Sequence, residues 1–368
     1  MPKRRPAKKR SPAAAVLLAV LCLLLLAVSR YLDSRSEPAA SVSAPEAAQA
    51  DASGLEVHFL DIGQGDSALL FCGDETLLID GGKVKNNQKL IARLKELEVD
   101  HLDAIICSHP DEDHCGGLSA VLASTRTDAF YCSVDSWHTK VFSDVTKYVA
   151  EQGISVTIPQ AGDTFAFSDA SVEFLGPVVD YGDDPNEGSL VARVRYGETS
   201  FLFTGDMGFE AEDDMLAAGV DVSATVLKVA HHGSAGSSST EFLQAVHPQY
   251  AVISVGADND YGHPTEAALN RLSACGIPVY RTDLLGEIIA VSDGKTVTIT
   301  SASNEAPPAS DAASQTAGSY GYVGNSSSKV VHLASCGKLP GESNRVYFAS
   351  LDEALAAGYR KHANCLGN

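Results

Sequence analysis

The decisive stretch is Ser108-His109-Pro110-Asp111-Glu112-Asp113-His114-Cys115-Gly116-Gly117. It follows the apolar run 104–107, which reads as a strand. It brings two imidazoles and the carboxylates of Asp111 and Asp113 within six residues. The glycine pair behind them lets backbone approach closely. Three further groups repeat the arrangement downstream: Thr204-Gly205-Asp206, His231-His232-Gly233-Ser234 and Gly262-His263-Pro264. Each one follows an apolar run. Alone, each reads equally well as a solvated turn, a helix cap or a surface histidine. Four such groups at strand ends, mixing imidazole nitrogen with carboxylate oxygen, point to one site for divalent metal.

Around these groups the hydrophobic pattern predicts early strands at 55–62, 68–72 and 76–79. Later strands are expected at 155–158, 171–174, 190–196, 200–203, 225–229, 250–255 and 287–291. Helices are expected at 88–97, 118–123, 142–152, 209–217, 240–245 and 264–274. Hairpins followed by strand–helix alternation predict a layered α/β fold with its chemistry at the C-terminal ends of strands. With 368 residues, 45% hydrophobic and 20% charged, the chain is not disordered throughout. Its net charge of −20 excludes nucleic-acid binding by bulk electrostatics, because phosphates are met by Lys and Arg. His58, His101, His138 and His247 read as packed or exposed residues, as do Trp137 and Tyr131.

The order of the four groups resembles the metallo-β-lactamase superfamily, and more narrowly the ComEC family's extracytoplasmic hydrolase domain. Phe59-Leu60-Asp61-Ile62-Gly63-Gln64-Gly65-Asp66-Ser67, Leu78-Ile79-Asp80-Gly81-Gly82 and Asn186-Glu187-Gly188-Ser189-Leu190 match that family's blocks over residues 55–300. The family's membrane channel is missing, so its transport role does not carry over. The resemblance implies an αββα sandwich with two divalent cations between its sheets. His109 and Asp111 would bind the first, Asp113, His114 and His263 the second, and Asp206 would bridge. Asp111 stands where the superfamily's zinc hydrolases place a histidine, and residues 186–189 lack another. That shift toward oxygen favours manganese or magnesium, with zinc still open. The cations would activate a water and clamp the oxygens of a phosphodiester. Asp113 would orient that water, and His231 or His232 would act as general acid or phosphate-binding group, His231 being preferred as the one facing the metals. Asn186, Ser189, Gly233 and Ser234 are candidate substrate contacts, the loop 233–239 offering hydroxyls to a phosphate.

Residues 320–368 form a second unit in which His332 and Cys336 lie four apart and His362 and Cys365 three apart. Two nitrogen/sulfur pairs in a small ββα unit suit one tetrahedral structural zinc, with a Cys336–Cys365 disulfide as the competing reading. The unit resembles the Ada-type metal-binding domain in Val346-Tyr347-Phe348, in the run 353–360 and in ligand spacing. Histidine at the first ligand position argues against methyl transfer and leaves DNA contact open. Lys329, Lys338, Arg345, Arg360 and Lys361 outnumber Glu342, Asp352 and Glu353, a mild basic excess. The other cysteines, Cys72, Cys107, Cys115, Cys132 and Cys275, define no disulfide framework.

Seven basic residues and no acid precede or flank the apolar run 13–28 within residues 1–30. That pattern reads as a signal peptide or a membrane anchor, with everything after it exported. Residues 31–54 read as a flexible stalk and 301–319 as a linker. The expected protein is an exported, metal-dependent phosphodiesterase, foremost a nuclease on DNA, with a membrane contact through an uncleaved N-terminus and no evident protein partner. The alternatives are a hydrolase of envelope or nucleotide phosphoesters, and a non-catalytic surface protein that captures DNA.

Overall fold

Strand alternation sorts the core before any helix is placed. In β1 (Leu55–Phe59) and β2 (Ala68–Cys72), residues 55, 57, 59 and 68, 70, 72 point into one buried cluster, whereas Leu69 joins a different one. The computed structural model describes residues 54–257, 259–303, 322–333, 336, 338–341, 344–348 and 351–366. The expected N-terminal segment lies outside the described residues, as do all but the last residue of the stalk and all but the first three of the linker.

The first sheet continues with β3 (Glu75–Ile79), β4 (His101–Cys107), β5 (Arg126–Cys132) and β6 (Val156–Thr157). The second holds β7 (Thr164–Phe167), β8 (Ala170–Gly176), β9 (Val191–Tyr196), β10 (Thr199–Phe203), β11 (Val226–Lys228), β12 (Tyr250–Ile253) and β13 (Val279–Arg281). The chain then returns to the first sheet with β14 (Ile288–Ser292) and β15 (Val297–Ser301). The sheet orders are β15-β14-β1-β2-β3-β4-β5-β6 and β13-β12-β11-β10-β9-β8-β7. Each sheet is antiparallel on one side and parallel on the other, the parallel runs being β3–β6 and β10–β13.

Leu55, Val57, Leu70 and Ile106 of the first sheet meet Val172, Phe174, Val194 and Phe201 of the second in one dry layer. Helices Asn87–Glu96, Leu118–Ser124 and Lys140–Glu151 cover the outer face of the first sheet. Helices Phe209–Ala217, Thr240–Val246 and Glu266–Ala274 cover that of the second. The expected αββα sandwich is therefore observed. Four strands of the sandwich were not anticipated: β5, β7, β13 and β15. The first half of β5 reads Arg-Thr-Asp and lacks a hydrophobic run, and β13 has only three residues, so neither shows a strand period.

The C-terminal unit contains the expected ββα elements, β17 (Val330–Leu333), β18 (Arg345–Phe348) and helix Leu351–Ala356. Two further strands, β16 (Tyr322–Asn325) and β19 (Arg360–Lys361), complete a sheet of order β18-β16-β17-β19. Gly324 is required in β16: a Cβ there would lie 2.5 Å from the Tyr359 ring and 2.8 Å from that of Phe348.

One polar group on the first sheet titrates as part of the fold. His58 is 2% exposed, and its ring nitrogens sit 2.6 Å from Glu56 Oε1 and 2.6 Å from Glu287 Oε1. Arg93 doubly contacts Glu287, at 2.7 and 2.9 Å. Burial pushes the His58 pKa down, but the two carboxylates outweigh it and the pKa is raised. Burial pushes Glu287 up, and His58 and Arg93 outweigh it, so it is lowered. The Glu287 contribution is thus present above the ordinary carboxylate range and lost in acid. That of His58 is complete below about pH 6.5 and lost as pH rises through its raised value. Urea unfolding of His58→Phe is expected to show a shallower alkaline decline than wild type, the difference reaching at most about 1.4 kcal/mol per pH unit, the slope of one proton.

A candidate metal centre

Strands β3 and β4 of the first sheet and β10, β11 and β12 of the second deliver their C-terminal loops to one place, joined by the loop after β1. Tight backbone contacts hold three of these loops together. Asp66 N donates to Asp113 O, Gly81 N to His114 O and Gly117 N to Gly82 O, at 3.0, 2.7 and 2.9 Å. A Cβ on Gly117 would stand 2.1 Å from Gly81 O, and one on Gly65 2.4 Å from Asp113 O. The glycines flanking the decisive stretch are therefore a condition of its position.

Four side chains converge in the interior: Asp66, His114, Asp206 and His232, each with one ligand atom within 4.8 Å of the others. They are 6%, 0%, 3% and 1% exposed. His114 Nδ1 is 2.8 Å from Asp80 Oδ2, and Asp80 also accepts from Ser108 N and Oγ. With Nδ1 bound to Asp80, Nε2 of a neutral His114 carries a lone pair, and it faces Asp206 Oδ1 at 3.0 Å without hydrogen-bond geometry. His232 repeats the arrangement: Nδ1 reaches Ser254 O at 2.9 Å, and Nε2 lies 3.6 Å from Asp206 Oδ2 and 3.7 Å from Asp113 Oδ2. Asp66 Oδ2 is paired with buried Lys228 Nζ at 2.5 Å.

Asp66 Oδ1, His109 Nε2, His114 Nε2, Asp206 Oδ1, His232 Nε2 and His263 Nδ1 are buried with no hydrogen-bond partner. Unpaired buried acceptors are costly unless a cation meets them. This donor set of imidazole nitrogen and carboxylate oxygen fits a divalent cation. Without a metal, the electrostatics place protons on His114 and His232 and leave His109 and His263 neutral. Burial pushes the Asp206 carboxyl up, but His114 and His232 outweigh it and hold it well below the usual range. Burial pushes His232 down, and Asp206 and Asp66 reverse the sign, raising it to about 9. His109 is driven to about 3 by burial and His114, and His263 to about 4 by burial, His231 and His232, so both are neutral with free lone pairs.

The cluster opens into a cavity of about 190 Å³ lined by Gln64, Asp111, Asp113, Asn186, Asp206, His231, His232, Tyr261 and His263. His109 lies beneath it, fully buried, with Nδ1 near Ser108 Oγ and Ser189 Oγ and Nε2 3.9 Å from Asp111 Oδ2. All six residues read from the sequence as metal ligands are thus gathered at this end of the sandwich.

Both candidate histidines reach the site: His232 enters the buried cluster, and His231, its side chain 31% exposed, lines the cavity with Nε2 3.6 Å from Asp206 Oδ2. Strand alternation ends at β11, and both histidines then take left-handed φ values of 51° and 54°, which no period predicts. Three expectations are corrected here. Ser189 does not line the cavity; its hydroxyl accepts from Asp206 N at 3.1 Å and supports that turn. Gly233 packs under Pro264, 2.6 Å from the position of a Cβ, and Ser234 accepts from Gly236 N, so neither reaches the cavity. The hydroxyl loop is turned inward: Ser237, Ser238 and Ser239 are at most 1% exposed. Arg271 donates to Ser237 O and Ser238 O at 2.6 and 2.8 Å, and Glu212 accepts from Ser238 N and Ser239 N.

Sequence reasoning did not assign Asp66, Asp80, Lys228 or Gln64. The signal for Asp66 was the strand-glycine-acid order, the same one that singled out Asp206.

In the C-terminal unit, the ligand atoms of His332, Cys336, His362 and Cys365 also lie within 4.8 Å of one another. His362 Nδ1 is 3.2 Å from Cys365 Sγ and 3.8 Å from Cys336 Sγ, both thiols are free, and His332 Nδ1 is buried without a partner. The N₂S₂ donor set fits tetrahedral zinc.

Residues 60–257 match the family model of the metallo-beta-lactamase superfamily. Competence protein ComA of Neisseria gonorrhoeae is 34% identical over 285 residues, which are 76% of this chain and 38% of that protein. ComE operon protein 3 of Bacillus subtilis is 31% identical over 251 residues, 63% of this chain and 32% of that protein. The chain thus spans about a third of the length of these curated relatives. A solved structure, the metallo-beta-lactamase fold protein YhfI from Bacillus subtilis, is 13% identical with a TM-score of 0.44, covering 67% of this chain and all of that one. From the family model that matches more than half of its length, and from its sandwich, the chain belongs to the metallo-β-lactamase superfamily of metal-dependent hydrolases.

Proposed function

We propose that the chain is an exported, metal-dependent phosphodiesterase whose substrate is DNA. The observation that carries the reaction class is the buried set of unpartnered ligand atoms on Asp66, His114, Asp206 and His232, opening into a polar cavity. These four would hold one cation, and His109, Asp111, Asp113 and His263 supply donors for a second. Bound divalent cations, manganese, magnesium or zinc, supply Lewis acidity and an activated water. Asp80 holds the His114 ring in orientation and Lys228 holds Asp66. Asp113, at the cavity wall, orients the nucleophile. His231, accessible on the rim, protonates the leaving oxygen. Asn186 lines the same cavity with a buried, unpartnered Oδ1.

Support for DNA comes from one relative, named Competence protein ComA, competence being the uptake of DNA. The second unit, 320–368, is read as an Ada-like zinc module that contacts DNA, joined by the linker 301–319 to the hydrolase unit 55–300. Support for export comes from the basic residues and apolar run of residues 1–30, acting as signal peptide or anchor.

The test uses the full-length chain in detergent, stripped of metal and reloaded with Mn²⁺, Mg²⁺ or Zn²⁺, on linear and circular DNA. Metal-dependent degradation is expected, reduced at least about 100-fold in Asp113→Ala. Absence of cleavage by folded, metal-loaded protein would overturn the DNA reading. Turnover of bis(p-nitrophenyl) phosphate alone would then direct the search to other phosphodiesters, and DNA retention without any turnover would indicate a capture protein.

Loss of the Asp80 contact in Asp80→Asn is expected to weaken Mn²⁺ binding by about 10- to 100-fold in calorimetry. Elemental analysis is expected to find zinc in the C-terminal unit, and His362→Ala to lower the zinc content by one atom per chain. Equal zinc in variant and wild type would exclude the N₂S₂ site.

A further inference from the structure

One wall of the cavity is not used by the metal chemistry. Tyr261 stands there 60% exposed, its ring stacked on His263 with centroids 5.8 Å apart and planes at 23°. A single exposed aromatic is ordinary on a protein surface. This one differs because its position is held. Asn259 Oδ1 accepts from Tyr261 N and His263 N, at 3.2 and 2.9 Å, and Asn259 Nδ2 donates to Gly256 O and His263 O, at 2.9 and 2.6 Å.

Lys83 Nζ donates to the Tyr261 hydroxyl at 3.2 Å. It lies 4.9 Å from the ring centroid, at the hydroxyl end of the ring. The same ammonium is 3.8 Å from Asp113 Oδ2, so it borders the cavity where the cations would sit. Deeper on this side, Gln64 is 6% exposed and its Oε1 accepts from Gly256 N at 3.2 Å. Its Nε2 is then a buried donor with no partner, on a residue that lines the cavity.

A held ring, a cation and a buried free donor along one wall are complementary to a nucleotide unit. We propose that Tyr261 is a stacking platform for an unpaired nucleobase beside the scissile phosphate. Lys83 meets the flanking phosphate and Gln64 Nε2 donates to a phosphoryl oxygen. The inference rests on the phosphodiesterase reading and narrows its substrate to single-stranded nucleic acid or a free nucleotide. Within a duplex each base is covered on both faces by its neighbours, whereas an unpaired base can offer a face to the ring. The acidic neighbours Asp111, Glu112 and Asp113 would oppose a phosphate in the absence of cations, so the contact requires a metal-loaded site.

The test is binding, measured by fluorescence anisotropy with the full-length chain in detergent and Ca²⁺ in the buffer. The probes are a labelled oligothymidylate and an abasic strand of equal length, with unlabelled thymidine monophosphate and oligothymidylate as competitors. Wild type is expected to bind the base-bearing strand about 5- to 150-fold more tightly than the abasic one. Tyr261→Leu is expected to reduce that ratio to about one, and Tyr261→Phe to keep it. Lys83→Met is expected to weaken both strands alike and to flatten the salt dependence. Competition by the monophosphate at strand-like concentrations would assign the platform to free nucleotides, and its absence to strands. A wild-type ratio of one, or a Tyr261→Leu variant with the wild-type ratio, would overturn the proposal. Because the readout is binding, a failure of cleavage sinks the phosphodiesterase reading separately, and cleavage with a ratio of one sinks the platform alone.

Discussion

The approach of His114 Nε2 to Asp206 Oδ1, at 3.0 Å and without hydrogen-bond geometry, is the constraint on which the site depends. Two buried acceptors face each other, and the second nitrogen of the imidazole is already bound to Asp80. Only a proton or a cation between them makes such a contact favourable. Without a metal the carboxylates supply this by raising the pKa of His114 and of His232 against the effect of burial. The same lone pairs are the ones a metal needs, so the cost of desolvating them is offset by the ion that the site is shaped to receive.

That arrangement imposes demands on the surrounding backbone. The acids and histidines come from loops of two different sheets, and each loop must end within a few ångströms of the others. Gly65, Gly81 and Gly117 permit this because any side chain there would meet a neighbouring backbone or side chain. Behind the cluster the supports are themselves buried and polar: Lys228 against Asp66, and Arg271 with Glu212 against the serine loop. Burial pushes the Glu212 carboxyl up to about 8, so the loop is held by a group that sits at a cost to the fold. The serine-rich segment, polar in composition, is therefore a packed support and not a mobile phosphate cradle.

The overall acidity of the chain and its proposed substrate are reconciled by locality. A body of net negative charge repels polyanions at long range, and screening at physiological salt confines that repulsion to about 8 Å. Under the proposed function, recognition would fall to cations in the cavity, to Lys83 at its rim and to stacking, which is indifferent to charge. The N₂S₂ cluster of the C-terminal unit serves a different end. That unit's core is small, Val331, Val346, Phe348, Ala354 and Tyr359, and a bound metal would add the cross-link that so few apolar residues cannot provide.

The sequence by itself determined the residue types and their order: histidines and aspartates directly after apolar runs, with glycines beside them. Because strand periodicity and turn glycines are local properties, the two sheets, most helices and the loops carrying His109, His114, Asp206 and His263 were legible without coordinates. The polar start of β5 and the three residues of β13 left those strands illegible, whereas β7 (Thr-Phe-Ala-Phe) and β15 (Val-Thr-Ile-Thr-Ser) carry a strand alternation that was passed over. Tertiary structure alone decided which lone pairs converge. It brought in Asp66 and Asp80 from the opening hairpins and Lys228 from the opposite sheet. It set His232 in the buried cluster and His231 on the cavity lining through two left-handed residues, and turned Ser237–Ser239 inward. Those outcomes depend on distances between segments far apart in the chain, and no local pattern of residues encodes such a distance.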